Sequence, residues 1–196
     1  LLAIPLFILA GDLMLRCGMM DRIVDFAKAV MGPMLGGLAH VNIGASMVFG
    51  GISGVSLADA AALGKTLIPS MIKEGYPRGL AAAITTSSCV MGAIIPPSVG
   101  MLIIAYIYGG SLSIGKLFLS GAVPGLLIGV TQMIVVALIA RRRSLPRSTE
   151  TWSAKEILYQ FRRSILALGM PIIIIGGIIT GFFTPTEAGG TAVAYT

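Results

Sequence analysis

Hydroxyl groups and one carboxylate surround two interruptions in an otherwise apolar sequence. The first interruption, residues 50–56, contains Ser53 and Ser56 and is followed at once by Asp59; the second is residues 94–98. Free carbonyl and hydroxyl oxygens at broken helices suit a hard cation such as Na⁺, whereas helix N-termini favour an anionic ligand. We therefore predict a binding site where the two interruptions face a common space.

Four further hydroxyl residues precede the second interruption: Thr85, Thr86, Ser87 and Ser88. Ser98 lies within the interruption itself. Hydroxyls inside membrane helices also bond to a carbonyl one turn back, so that alternative stays open for each of them. Asp59 has an alternative role as well, because Ser56 is placed to be the N-cap of a helix and Asp59 then occupies a capping-box position. An ionisable residue at membrane depth is otherwise a functional candidate.

Other polar residues have simpler expected roles. His40 and Asn42 are candidates for hydrogen bonds between helices, a role we favour for His40. Lys65 is expected to extend toward the membrane surface or to pair with a neighbour. Glu187 is expected to complement the dipole of a helix that Thr184 or Thr186 caps. The two cysteines, Cys17 and Cys89, lie far apart in the sequence, and we expect them only to pack against neighbouring side chains.

The composition predicts an all-α integral membrane protein. Of the 196 residues, 56% are hydrophobic and 11% are charged, whereas a soluble domain carries about 25% charged residues. The net charge of +6 does not indicate nucleic acid, because the basic residues stand at the ends of apolar segments rather than in a patch with aromatic residues. A single His excludes a His-rich metal cage, and no Walker loop or nucleophile-elbow motif is present.

The elements around the first interruption predict a re-entrant hairpin. Residues 1–15 are the end of a membrane-spanning helix, and 21–34 form an interfacial amphipathic helix. Residues 38–49 make only about 18 Å of helix, too short for a bilayer core of about 30 Å. The chain then returns through a helix at 56–72.

The second interruption predicts a discontinuous membrane helix, because Pro96 and Pro97 remove two backbone donors from the segment 79–108. A polar turn at 109–116, a span at 117–140, an amphipathic helix at 153–163 and a span at 165–183 follow. With a hairpin that returns to its side of entry, 12 of the 14 Lys and Arg residues share one face. That bias predicts the cytoplasmic face. Leu1 opens inside an apolar segment, so we expect the chain to be a piece of a longer protein.

Several motifs, in order along the chain, resemble one transporter family. They are His-Val-Asn at 40–42, Gly-Ile-Ser-Gly at 51–54, Ala-Asp-Ala-Ala-Ala-Leu-Gly at 58–64, Ile-Ile-Pro-Pro-Ser at 94–98 and Phe-Thr-Pro-Thr-Glu-Ala at 183–188. The sequence is similar to the large membrane subunit of tripartite ATP-independent periplasmic (TRAP) transporters along almost its whole length. It would cover a little less than half of such a subunit.

The resemblance implies a fold and a mechanism. The fold is an inverted-repeat secondary transporter of the elevator type, with residues 1–116 as the first repeat and 117–196 as the start of the second. The activity is Na⁺-coupled import of organic acids such as C4-dicarboxylates or sialic acid across the bacterial or archaeal cytoplasmic (inner) membrane, which the chain crosses several times. The implied partners are a periplasmic substrate-binding protein and a small four-helix membrane subunit. Na⁺ is the only implied ion, with no cofactor.

The resemblance also implies residue roles. Residues carried over as Na⁺ ligands, with backbone oxygens included, are Ser53, Gly54, Ser56, Asp59, Pro96, Pro97 and Ser98. The substrate would lie beside the hairpin tip, near Asn42, Thr85, Thr86, Ser87 and Ser88. Three alternatives stay open: another anion/Na⁺ transporter of the same superfamily, a membrane-embedded enzyme that uses Asp59 with His40, and a passive channel.

Overall fold

The computed structural model describes residues 2–108, 112–143, 145–146 and 152–196, and these residues form helices and connections without a strand. The helices are α1 (Ala3–Arg16), α2 (Met19–Met31), α3 (Gly37–Ser53), α4 (Ser56–Lys73), α5 (Arg78–Cys89), a 3-10 turn (Val90–Ala93), α6 (Val99–Ile107), α7 (Ile114–Arg143), α8 (Ala154–Ile179) and α9 (Pro185–Tyr195). The predicted all-helical class is confirmed. The predicted turn at 109–116 lies partly outside the described residues, and its last three residues are helical.

Two helices in the described part of the chain, α7 and α8, are long and apolar enough to cross a membrane. A third crossing is possible if α1 and α2, which meet at a bend of 70°, count as one broken span. Most of the apolar side chains of α7 and α8 face outward, for example Leu127 and Ile172. Outward apolar surface of this extent belongs against lipid or another apolar partner.

Helix α3 is the centre of the molecule, and 15 of its 17 residues are buried. It contacts α1, α2, α4, α5, α7 and α8. A helix that is apolar on all sides is stable when other helices surround it. The two helices of the predicted re-entrant hairpin are present, since α4 follows after only Gly54 and Val55 and packs back against α3, and re-entry into the membrane stays a prediction.

The predicted start of the first interruption is wrong. The helix continues through Gly50, Gly51, Ile52 and Ser53, all of which are buried, because surrounding helices stabilise a segment whose intrinsic helix propensity is low. At 17 residues, α3 is roughly 26 Å long rather than about 18 Å. Segment length therefore no longer distinguishes a re-entrant hairpin from two crossings.

The predicted division of α8 is also wrong. Residues 153–163 and 165–183 were expected as an interfacial helix followed by a separate span, but one helix runs from Ala154 to Ile179. Arginines such as Arg162 and Arg163 are good helix formers, so the helix does not end at them. They indicate instead where the helix meets the membrane surface. The helix predicted at 117–140 is confirmed as part of α7, which extends three residues further at each end and is a candidate membrane span.

Helix α2 is the predicted amphipathic helix, and it is fixed along the first half of α8. The Ser164 hydroxyl donates to the Arg22 carbonyl at 2.7 Å, and the Trp152 indole N–H donates to the Val30 carbonyl at 3.0 Å. The residues between these two bonds bury an apolar face of α2 against its neighbours. The two helices therefore run antiparallel over about three turns.

Two smaller expectations have clear outcomes. Thr184 caps α9 in a capping box with Glu187, as predicted, and these hydrogen bonds hold the pKa of Glu187 below its usual value. The helix-to-helix bond expected for His40 is wrong. Its Nδ1 lies 3.1 Å from the Gly36 carbonyl oxygen, at the start of its own helix, and that carbonyl also accepts from the backbone N–H groups of Ala39 and His40.

Candidate functional site

The first break in the helices consists of two residues, Gly54 and Val55. Gly54 has a φ of +62°, and Val55 is extended before the first turn of α4. A left-handed residue ends many helices, and glycine adopts that conformation without the penalty that a Cβ atom brings. The sequence Ser-Gly-Val-Ser therefore reverses the chain within a very short distance.

The second break includes the predicted residues 94–98, but it begins earlier, at the 3-10 turn. Helix α5 ends at Cys89, the 3-10 turn ends at Ala93, and α6 begins after Ser98. The Ser98 hydroxyl donates to the Ala93 carbonyl at 2.6 Å and accepts from the Met101 N–H at 3.4 Å, which caps α6. Both proline nitrogens lie where no helical donor is needed.

The structure brings the two breaks into direct contact. The Val99 N–H donates to the Gly54 carbonyl at 3.2 Å. A Cβ atom on Gly54 would overlap the Pro97 carbonyl oxygen, and one on Gly51 would lie 3.4 Å from the Pro96 carbonyl oxygen. The absence of a side chain at Gly54 is therefore what allows this approach. Polar backbone atoms from both breaks share one small buried region.

Asp59 lies near Gly50 and Gly92, beside the region where the two breaks meet, and its side chain is completely buried. The Ser53 hydroxyl donates to its Oδ1, while its Oδ2 has no hydrogen-bond partner within the described residues. Oδ2 is held between two glycines: a Cβ on Gly92 would overlap it, and one on Gly50 would lie 3.4 Å away. A buried carboxylate with an unpartnered oxygen is costly unless a cation or a proton compensates it.

Ser56 does not have the predicted capping role. Val55 occupies the N-cap position, and Ser56 is the first helical residue. The Ser56 hydroxyl instead donates to the Val90 carbonyl at 3.4 Å, which links α4 to the 3-10 turn. The capping alternative for Asp59 is likewise wrong, because its side chain bonds to Ser53 across the break rather than to the backbone at the start of α4.

The residues predicted to bind Na⁺ thus gather at one junction, with Asp59 near Gly92 and Gly54 near Pro97. Within the described ranges no three His, Cys, Asp or Glu side chains are placed to hold a metal ion together. A cation at this junction would therefore depend on one carboxylate with hydroxyl and carbonyl oxygens, the ligands that a hard monovalent cation accepts.

The residues predicted to lie near substrate divide into two groups. Asn42, Thr85 and Ser88 are buried between α3 and α5, where Asn42 Nδ2 donates to Thr85 Oγ1 at 2.6 Å and Ser88 Oγ donates to Asn42 Oδ1 at 3.4 Å. Thr86 and Ser87 are exposed on the opposite side of α5. Successive residues of a helix point in different directions, so the four hydroxyls cannot share one face. Their contact with substrate stays a prediction.

Three site residues were not predicted. Ser46 joins the buried network, with its Oγ 2.8 Å from Ser88 Oγ, and Gly50 and Gly92 enclose Asp59. Ser46 was detectable, because it lies four residues after Asn42 and so on the same face of α3. No local signal identified Gly92, since its role depends on a residue more than thirty positions earlier in the sequence.

An open cavity of about 520 Å³ lies beside the hairpin tip, between α1 and the α3–α4 turn. Its walls are apolar except for Ser53 and Asp12, and the Asp12 carboxylate pairs with Arg16 at 2.8 Å. His40 lies about 13 residues before the tip, or about 20 Å along α3. The enzyme alternative is therefore not supported, because it required His40 and Asp59 at the same depth.

We expect Asn42→Ala to lower the free energy of unfolding by about 1–3 kcal/mol, because Thr85 and Ser88 lose a buried partner. Thermal denaturation in detergent measures the change. Thr86→Ala is the matched control on the exposed side of α5, with an expected change within about 0.5 kcal/mol. Equal effects of the two substitutions would show that the network adds nothing to stability.

Comparison with known proteins gives consistent matches over the whole chain. Residues 1–196 match the family model described as "Tripartite ATP-independent periplasmic transporter, DctM component". The sialic acid TRAP transporter permease protein SiaT of Haemophilus influenzae is 43% identical over 195 residues, which are 100% of this chain and 31% of SiaT.

Two further relatives are similar to the same extent. The sialic acid TRAP transporter large permease protein SiaM of Vibrio cholerae is 42% identical over 198 residues, and the C4-dicarboxylate TRAP transporter large permease protein DctM of Pseudomonas aeruginosa is 42% identical over 195 residues. Each match covers 100% of this chain and 45% of the relative. The chain therefore spans less than half the length of these curated relatives, all of which are named as permeases rather than enzymes.

Proposed function

Because the chain belongs to the DctM component family of tripartite ATP-independent periplasmic transporters, we propose that it forms the Na⁺-binding half of a permease that imports organic acids. The relatives named above transport sialic acid or C4-dicarboxylates, which are carboxylate anions. A negatively charged substrate moves more favourably into a cell when cations accompany it, since the membrane potential opposes entry of the anion alone.

One observation carries the proposal: the unpartnered Oδ2 of Asp59 is buried where the two breaks meet. Na⁺ bound there would neutralise the carboxylate, and the hydroxyl of Ser53 and the carbonyls near Pro96 and Pro97 would complete an oxygen site. Because the ligands come from the hairpin and from the broken helix, the ion would hold these two elements together. Loss of the ion would then loosen the hairpin tip.

Ordering of the hairpin tip by Na⁺ would couple the binding of Na⁺ to the binding of substrate. The cavity of about 520 Å³ borders Ser53 and Val55, so a substrate beside the tip would contact residues that the cation fixes. A tip held by Na⁺ binds substrate better than a loose one, because less conformational freedom is lost on binding. Reciprocity then requires substrate to strengthen Na⁺ binding by the same factor.

The remaining features of the proposal follow from membership of the family. Residues 1–116 would form the first of two inverted repeats and 117–196 the start of the second, with a re-entrant hairpin that moves in an elevator-like manner. The complete permease would cross the bacterial or archaeal inner membrane several times. A periplasmic substrate-binding protein would deliver the organic acid, and a small four-helix subunit would brace the scaffold.

Uptake into proteoliposomes tests the proposal. We expect the complex made from complete coding sequences to accumulate labelled succinate or sialic acid only when an inward Na⁺ gradient is imposed, with K⁺ as the control cation. Equal accumulation without Na⁺ would contradict Na⁺ coupling. Single-channel currents across a planar bilayer would favour a passive channel, and accumulation of neither acid would leave another anion/Na⁺ transporter as the alternative.

A further inference from the structure

The outer side of the first three turns of α8 carries cations and large apolar side chains that no element of the described chain covers. We name this surface the α8 stripe, and it consists of Lys155, Leu158, Tyr159, Arg162 and Arg163. Leu158 and Tyr159 are 60% and 59% exposed. The opposite side of these turns is held by α2 through Ser164 and Trp152, so the stripe has a fixed orientation.

The cations of the stripe are without acidic partners in the described part of the chain. The ion pair found among the described residues joins Asp12 to Arg16. Both of these residues belong to α1, which is far from α8 in the sequence. The acidic side chain of α8, Glu156, is bound by the Gln160 amide at 2.8 Å. The stripe therefore presents a net positive charge to its surroundings.

Helical spacing places three of these side chains in one row. Lys155, Tyr159 and Arg162 stand at positions i, i+4 and i+7, which share a face of an α-helix. An aromatic ring thus lies between two cations that are roughly 10 Å apart along the axis. Cations beside aromatic and aliphatic residues are typical of the headgroup region of a membrane, where each side chain has both a polar and an apolar neighbour.

The depth of the stripe follows from the same helix. From Ser164 to Ile179 α8 carries no charged residue, and this apolar segment belongs to a candidate membrane span. Arg162 and Arg163 precede it directly, so they lie at the boundary of the hydrocarbon layer. Headgroups occupy about 5–7 Å on each side of that layer, and the long side chain of Lys155 reaches the outer part of this region.

We propose that the α8 stripe is a binding surface for anionic phospholipid headgroups. The two arginines would contact a lipid phosphate, Lys155 a second one or the same lipid's outer oxygens, and the ring of Tyr159 the glycerol region. Arginine and lysine bind phosphate strongly, and each cation near a membrane surface strengthens binding of anionic lipid about fivefold. This surface is independent of the cation site, and its failure would leave the proposed transport unaffected.

Lipid retention by the protein made from its complete coding sequence tests the inference. The purified, delipidated protein is titrated with phosphatidylglycerol or phosphatidylcholine, and bound lipids are counted by native mass spectrometry. We expect phosphatidylglycerol to be preferred, and the triple substitution Lys155→Gln, Arg162→Gln and Arg163→Gln to reduce that preference by roughly 100-fold. An excess of inorganic phosphate should not displace the lipid.

A matched control removes the same charge from the end of α7 through Arg141→Gln, Arg142→Gln and Arg143→Gln, and we expect it to keep most of the preference. Equal loss in the two triple variants would show that total charge, rather than the stripe, attracts the lipid and would overturn the proposal. So would an unchanged preference in the α8 variant, displacement of lipid by inorganic phosphate, or loss of a co-purifying protein subunit without a change in bound lipid.

Discussion

Na⁺-dependent uptake should fall about 100-fold or more in Asp59→Asn, the largest effect that we expect from a single substitution. Asn has nearly the same shape as Asp, but it cannot neutralise a cation. Removing one partner of a buried ion pair costs about 3–5 kcal/mol, which is a factor of at least 100 in affinity. Uptake of labelled substrate at increasing Na⁺ concentration measures the change.

Thermal stability provides a second measurement that separates ion binding from misfolding. Without Na⁺ the variant should be at least as stable as the original protein, because it no longer buries a carboxylate with an unpartnered oxygen. Added Na⁺ should stabilise only the original protein. Asp21→Asn, an exposed position on α2, is the control and should change neither property. Normal Na⁺ dependence in Asp59→Asn would remove Asp59 from the mechanism.

Gly54→Ala should separate the two breaks and lower both stability and Na⁺ affinity. A left-handed conformation costs a residue with a Cβ atom about 1–2 kcal/mol, and this Cβ would also overlap the Pro97 carbonyl oxygen and lie 3.2 Å from the Val99 nitrogen. We expect the free energy of unfolding to fall by about 2–4 kcal/mol and the Na⁺ concentration for half-maximal uptake to rise about tenfold or more.

Gly79→Ala is the matched control for this substitution. Gly79 lies in the first turn of α5, and an added Cβ would meet no atom within 4 Å. Alanine favours a helix over glycine by up to about 1 kcal/mol, so stability should be unchanged or slightly higher. An effect at Gly79 as large as that at Gly54 would mean that the contact between the breaks is not the cause.

The second break was predictable because its cause is local. Pro96 and Pro97 lack backbone N–H groups, and no neighbouring element can restore them. The start of the first break was not predictable in the same way. Gly50 and Gly51 have low helix propensity, but the helix continues through them because both are buried among surrounding helices.

The partners of the site residues were only partly predictable. Helical spacing could not decide which of Thr85, Thr86, Ser87 and Ser88 would face α3, because that choice depends on how α5 is rotated against its neighbours. Asp59 was selected from the sequence as an ionisable residue at membrane depth, but its enclosure by Gly92 depends on a contact between segments distant in the sequence. Motif resemblance indicated the family directly, since it does not depend on those contacts.

The burial of α3 on nearly every side also affects how the protein is made. Neither α3 nor α4 is among the candidate membrane spans of the described chain, and α3 carries Asn42 and Ser46 with partners on α5. During synthesis these groups have no partners until α5 emerges, and unpaired polar groups are excluded from lipid. We therefore expect the hairpin to enter the bilayer together with later helices. We likewise expect the residues that join it to α5 to contribute to membrane insertion.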